Sequence, residues 1–129
     1  MGFYDGFCNH TLWPLFHYFL EYTGFEMWQW EAYKRINLKY AKKILEYYRD
    51  GDIIWVHDYQ LLLVPNLIRQ KKPNAIIGFF LHIPFPSFEI FRLLHARFRM
   101  EFDEVRKLLQ DFTSLELKDK KREFRSEVY

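Results

Sequence analysis

Two short apolar runs, each ending on polar residues, organise the middle of the chain. Ile53-Ile54-Trp55-Val56 leads into His57-Asp58-Tyr59, and Ile76-Ile77-Gly78-Phe79-Phe80-Leu81 leads into His82-Ile83-Pro84-Phe85-Pro86. Both runs are rich in Ile, Val, Trp and Phe, as strands are, and between them Leu61 to Lys72 carries apolar residues at helical spacing. The pattern predicts a βαβ unit. Its crossover makes the strands parallel and right-handed, so both carboxyl ends emerge on one edge, where open α/β sheets take their ligands. With neighbouring strands about 4.8 Å apart, Asp58 and His82 are expected to face one ligand together.

On either side of that unit the pattern is helical. Gly2 to Asn9 is aromatic and turn-rich, and a short helix is expected through His10 to Tyr18, capped by Asn9 or Thr11, with Pro14 tolerated only in its first turn. After a loop at Thr23-Gly24, a longer helix is expected from about Gln29 to Tyr48. Tyr33, Ile36, Tyr40, Ala41, Ile44 and Tyr47 fall on one face of it, with Lys34, Lys42, Lys43 and Glu46 off that face. Asp50-Gly51-Asp52 turns the chain into the first strand. Pro84 and Pro86 hold the stretch after His82 extended, and Ser87 is placed to cap a helix beginning near Glu89. Beyond that, Phe98, Phe102, Val105, Leu109 and Phe112 repeat as an amphipathic helix before charges take over. The expected class is α/β: an incomplete Rossmann-like parallel sheet with flanking helices and a charged C-terminal helix.

Composition narrows the function classes. The chain has 129 residues, room for one domain, and half of them are hydrophobic and 21% aromatic, which argues against disorder and for large buried side chains. A net charge of +2 is too mild for a nucleic-acid binder. The tail from Phe98 to Tyr129 holds eight basic and eight acidic residues, a solvated mixed-charge helix. The longest apolar run is too short to cross a bilayer. With one cysteine, Cys8, and no secretory signal, a cytoplasmic setting is expected.

The candidate chemistry rests on few side chains. Asp58 directly follows an apolar strand, so its carboxylate must be solvated, paired, used for binding or spent on capping the next helix. His82 stands between strand-formers and a rigid Ile-Pro-Phe-Pro turn, a costly place for an idle polar ring. His57 fits a backbone-bonded structural histidine as well as a ligand group, and spacing alone makes Tyr4 and Trp13 core aromatics. A hydrolase triad lacks its G-x-S-x-G elbow, no His or Cys spacing suits zinc, and no P-loop or G-x-G-x-x-G cradles a phosphate. Neither a metal nor a cofactor is expected.

Three blocks nevertheless carry a resemblance. Tyr4-Asp5-Gly6-Phe7-Cys8-Asn9-His10-Thr11-Leu12-Trp13-Pro14-Leu15-Phe16-His17-Tyr18, Asp52 to Tyr59, and Ile77 to Arg92 resemble, in order and spacing, the amino-terminal domain of trehalose-6-phosphate synthases. That family implies a retaining glycosyltransferase with two Rossmann-like domains facing one cleft, moving glucose from UDP-glucose to glucose 6-phosphate without a metal. By the resemblance, Tyr4 and Trp13 line the pocket of the acceptor's phosphate, Asp58 bonds acceptor hydroxyls, and His82 reaches the donor glucose and the reacting region. Asp58 and His82 are then the catalytic candidates.

Departures accompany the matches. Gln60 stands where the family has a histidine, Phe88 where it has a small polar residue, and His95 where a proline is common. The resemblance covers roughly residues 3 to 97, and the expected organisation is a partial acceptor-side domain over 1–97 with 98–129 as a divergent charged helical tail. The amino-terminal glycine-rich strand and the nucleotide-binding domain are expected to be missing. Two readings follow: a fragment or truncated homologue of the synthase, inactive alone, or a non-catalytic hexose-phosphate-binding or regulatory module that docks on a full-length synthase. A helix-mediated interaction protein stands behind both.

Overall fold

The computed structural model describes residues 1–87, 89 and 90, all within one compact unit, Met1–Leu94. The boundary expected at residue 97, the charged tail and all but the start of the helix near Glu89 lie outside the described residues.

The expected βαβ unit forms. Strand β1 (Ile53–His57) pairs in parallel with β2 (Ile76–Phe80), with Ile53 opposite Ile76 and His57 opposite Phe80. Between them run a tight turn, Tyr59–Leu61, and helix α3, Val64–Arg69. The period of two along β1 sends Ile54 and Val56 inward, where they meet Val64 and Ile68 of α3, Ala41 and Ala75. Its other face is open: Ile53, Trp55, Ile76 and Phe80 are all exposed. The sheet is therefore buried on one side only, because α3 and the long helix α2, Met27–Tyr47, both pack on the same face.

Helix α2 spans Met27–Tyr47, starting two residues earlier than its apolar pattern suggests. Its buried stripe is Trp30, Tyr33, Asn37 and Ala41, continued by half-buried Ile44, Leu45 and Tyr48. Tyr40 and Tyr47, expected on that stripe, are exposed, because the true stripe advances in steps of four from Tyr33 through the polar Asn37. The helix ends at the expected turn, where Gly51 supplies a φ of 100° that a side chain would resist and Asp52 Oδ2 accepts from the Arg49 amide at 2.8 Å.

The amino-terminal segment differs most from expectation. Gly2–Leu12, expected to be turn-rich as far as Asn9 and helical from His10, winds as a wide π-type coil interrupted at Gly6, and of the helix expected over His10 to Tyr18 only Trp13–Phe16 forms a turn of α-helix, α1, with Pro14 in its first turn. Thr11 does not cap it. Its hydroxyl is buried and donates to the Gly24 carbonyl at 2.6 Å, tying the coil to the loop before α2. The coil buries Phe7 against Trp30 and Tyr33, with ring centroids 5.0 and 4.8 Å apart, so α2 carries an aromatic core at one end and the sheet at the other.

Candidate functional site

The site is built on the segment that leaves β1. Two buried polar side chains of α2 grip it from below. Tyr33 donates its hydroxyl to the Tyr59 carbonyl at 2.7 Å and accepts from the Leu62 amide at 3.2 Å. Asn37, fully buried, donates to the Gln60 carbonyl at 3.1 Å and accepts from the Leu63 amide at 3.2 Å. Four backbone groups that the tight turn leaves without ladder partners are thus satisfied in the protein interior, as burial demands. Sequence reasoning missed both roles. The available signal was a polar residue at position 37, four after Tyr33, inside an otherwise apolar stripe.

Held this way, the turn throws Asp58 into a backbone conformation, φ 68° and ψ 170°, that belongs almost only to glycine and costs about 1–3 kcal/mol elsewhere. The Asp58 amide donates to the Phe80 carbonyl at 2.8 Å, which joins the ends of the two strands. One carboxylate oxygen, Oδ1, accepts from the Tyr59 amide at 3.0 Å, so the capping role left open by the sequence is taken up, while Oδ2 lies outside that contact.

Two residues beyond Phe80, His82 turns back toward the first strand. Its Nε2 lies 3.1 Å from Nδ1 of His57, with the ring centroids 5.4 Å apart. Both imidazoles are exposed, and the Phe80 ring stands edge-on to His82 at 4.9 Å. The extended proline stretch that follows is anchored from α1: Phe16 packs between Tyr59 and Phe85, and the Tyr18 hydroxyl accepts from the Ser87 amide at 3.0 Å. Tyr18 closes α1 in the left-handed region, at φ 64°, with Phe19 donating to the Pro14 carbonyl. A glycine is the usual occupant there, and a tyrosine instead brings the hydroxyl that reaches Ser87.

Tyr4 and Trp13 are not core aromatics; they are 55% and 41% exposed. Tyr59 sits between the parts of the site. Its phenol is pushed up by burial first, then by the Asp58 carboxylate, and also by Cys8 and Tyr4, so Asp58 and Tyr4 act on one ring. Trp13 stands apart from that pair. Among the described residues its ring neighbours are His17, stacked at 4.0 Å, and Phe19 at 6.0 Å. The structure therefore joins Asp58 to His82 through the strand ends, by way of the Asp58 amide on the Phe80 carbonyl and the His57–His82 ring contact. Among the described residues no group of three or more His, Cys, Asp and Glu gathers to hold a metal ion.

Residues 1–128 match glycosyltransferase family 20. The chain belongs to that family. It is 50% identical over 103 residues to the bifunctional trehalose-6-phosphate synthase/phosphatase of Thermoproteus tenax, covering 80% of this chain and 14% of that protein. To the UDP-forming alpha,alpha-trehalose-phosphate synthase of Botryotinia fuckeliana it is 52% identical over 98 residues, 73% of this chain and 19% of the relative. The solved structure of the trehalose-6-phosphate synthase OtsA superposes with a TM-score of 0.72 at 43% identity, over 84% of this chain and 22% of that one. A synthase from Burkholderia xenovorans in complex with glucose-6-phosphate gives 0.68 at 38% identity, over 74% and 22%. The Rossmann-like α/β reading is thus shared with solved members of glycosyltransferase family 20. The chain spans between 14% and 22% of the length of these proteins. Among the described residues no helix is long and apolar enough to cross a membrane.

Proposed function

We propose that the chain forms the acceptor side of a trehalose-6-phosphate synthase site, in which glucose 6-phosphate is held for attack on the glucose of UDP-glucose. The observation that carries this is Asp58: a carboxylate kept in a glycine-like conformation directly after β1, next in the chain to His57, whose ring meets that of His82 two residues beyond β2. Strain of that kind persists where the surrounding fold imposes it, and it collects at ligand sites. In this reading Asp58 accepts from acceptor hydroxyls and His82 donates toward charge developing on the donor. Tyr4 and Trp13 wall the acceptor's phosphate. Holding both sugars in line supplies much of the rate without a protein nucleophile. A cytoplasmic setting agrees with the free thiol of Cys8.

This reading assigns acceptor-side groups alone to the described residues, and on it the purified chain should not by itself make trehalose 6-phosphate from UDP-glucose and glucose 6-phosphate. Robust turnover would refute that. Calorimetric titration with glucose 6-phosphate tests the acceptor site itself, and Asp58→Ala and Trp13→Ala should each weaken binding by roughly tenfold or more, the effect of losing one good hydrogen bond or stacking contact. Unchanged affinity in both variants removes the assignment. A second reading, a hexose-phosphate-binding or regulatory module that docks on a full-length synthase, uses the same acceptor-side residues. It predicts the same binding together with co-migration with a full-length synthase.

A further inference from the structure

The two strand ends meet through side chains at the imidazole pair, His57 Nδ1 and His82 Nε2, 3.1 Å apart. A neutral imidazole carries one N–H donor and one bare acceptor nitrogen, so at this separation one ring must donate and the other accept. If His82 donated through Nε2, its other nitrogen would be bare and unable to donate to a ligand. If His57 donates through Nδ1, His82 is left with its hydrogen on Nδ1, the nitrogen that remains for a ligand.

We propose that His57 is a positioning residue for His82: its Nδ1–H donates to His82 Nε2 and thereby holds His82 in the Nδ1–H tautomer with its ring plane fixed. The assignment rests on the reading of His82 as a donor in the proposed site, but the hydrogen bond can be tested with no sugar present. The surroundings suit a fixed orientation. His57 is the last residue of β1, opposite Phe80 in the parallel pairing, and the Asp58 amide that follows it donates to the Phe80 carbonyl at 2.8 Å, which ties down the backbone next to the ring. The rings of Trp55 and Phe80 flank it at 6.1 and 6.3 Å, and both are uncharged. Asp58, the adjacent charged group, already has Oδ1 engaged by the Tyr59 amide. The position of His57 in the sequence gives no hint of this, since its partner lies 25 residues away.

Nitrogen-15 side-chain spectra of the full chain, recorded at alkaline pH where imidazoles are neutral, read the tautomer directly. The wild type should show His82 with its hydrogen on Nδ1 in a ratio of roughly ten to one, the bias one hydrogen bond can impose. His57→Phe keeps an aromatic ring but no donor and should return His82 to a tautomer mixture. His57→Asn, whose amide N–H takes the place of Nδ1–H, should restore the bias. Should His57→Phe fail to fold, His82→Gln supplies the mirror test, in which His57 keeps its folded environment and changes its own nitrogen shifts. A His82 tautomer that is the same in wild type and His57→Phe, or a wild type with the hydrogen on Nε2, overturns the proposal. Neither result touches the glucose 6-phosphate titration, and a failed titration leaves these spectra standing.

Discussion

The same turn carries two polar clusters of opposite character. Below it, Tyr33 and Asn37 are buried and their polar atoms meet backbone groups of the turn. Above it, His57 and His82 are exposed and Asp58 is half-buried, with contacts that water can compete for. The difference separates two uses of a hydrogen bond. An interior bond fixes geometry because leaving it unmade is so costly, whereas a bond at the surface is weak enough to be exchanged for a ligand. In this chain the first kind holds Asp58 in a conformation it would not choose.

The largest expected effect breaks the lower cluster. Asn37→Leu keeps the volume but strands the Gln60 carbonyl and the Leu63 amide in the interior, at about 1–3 kcal/mol each. A loss of about 3 kcal/mol in urea unfolding is the expected outcome, large against a total of about 5–15 kcal/mol for a domain. A loss below about 1 kcal/mol would mean that the turn is held by something else. An effect of alkali is comparable in size. Burial pushes the Cys8 thiol from the ordinary 9.0 up to about 12, and burial pushes the Tyr33 phenol well above its ordinary value. Both groups stay protonated in the fold while the unfolded chain ionises, so stability is fully present below about pH 9 and falls as pH rises toward 12. Each pH unit in that window costs on the order of 1 kcal/mol through Cys8, with Tyr33 adding to it at higher pH. Urea midpoints at pH 8, 10 and 11 check the slope, and a flat profile would place Cys8 in contact with water.

How much of this was legible in the sequence follows from the range of the interactions. The βαβ unit was, because strand composition and helical spacing are local and the crossover then dictates parallel pairing. Pro14 and Gly51 also act through their own backbone and fell where expected. The stripe of α2 was misread at Tyr40 and Tyr47 because periodicity counts apolar residues, and the residue that sets the phase is Asn37, whose partners outside the helix, at Gln60 and Leu63, lie more than twenty residues away. The π-type coil was illegible for a related reason: it is held by the packing of Phe7 and by Thr11 reaching Gly24, contacts that no short window contains. Of the candidate site, Asp58 and His82 announced themselves by standing after apolar strands. The strain at Asp58 and the pairing of His82 with His57 depend on how the strand ends meet.

A smaller effect sharpens the comparison at Asp58. If the fold imposes the backbone there, glycine should be tolerated and alanine should not, although both remove the carboxylate. Asp58→Gly relieves strain of about 1–3 kcal/mol, offset by the extra chain entropy of glycine and a few tenths for the lost cap. Asp58→Ala keeps the strain and loses the cap. The glycine variant should therefore be more stable than the alanine variant by about 1 kcal/mol, with both impaired in glucose 6-phosphate binding. Equal stabilities would show that position 58 relaxes to an ordinary conformation in solution.

The smallest effect is expected on the open face of the sheet. Trp55 is 62% exposed, and its indole lies along the strand partner, where a Cβ built on Gly78 would come within 3.3 Å of the ring. Exposure of that degree means that little apolar area leaves water when the chain folds, and threonine is as good a strand-former as tryptophan. Trp55→Thr should change stability by no more than about 0.5 kcal/mol, the ordinary size of a surface substitution. The urea midpoint then separates two states of this face. A shift comparable to that of Asn37→Leu would mean that the indole is covered in solution, and that the outward side of β1 and β2 belongs, like the inward side, to an interior.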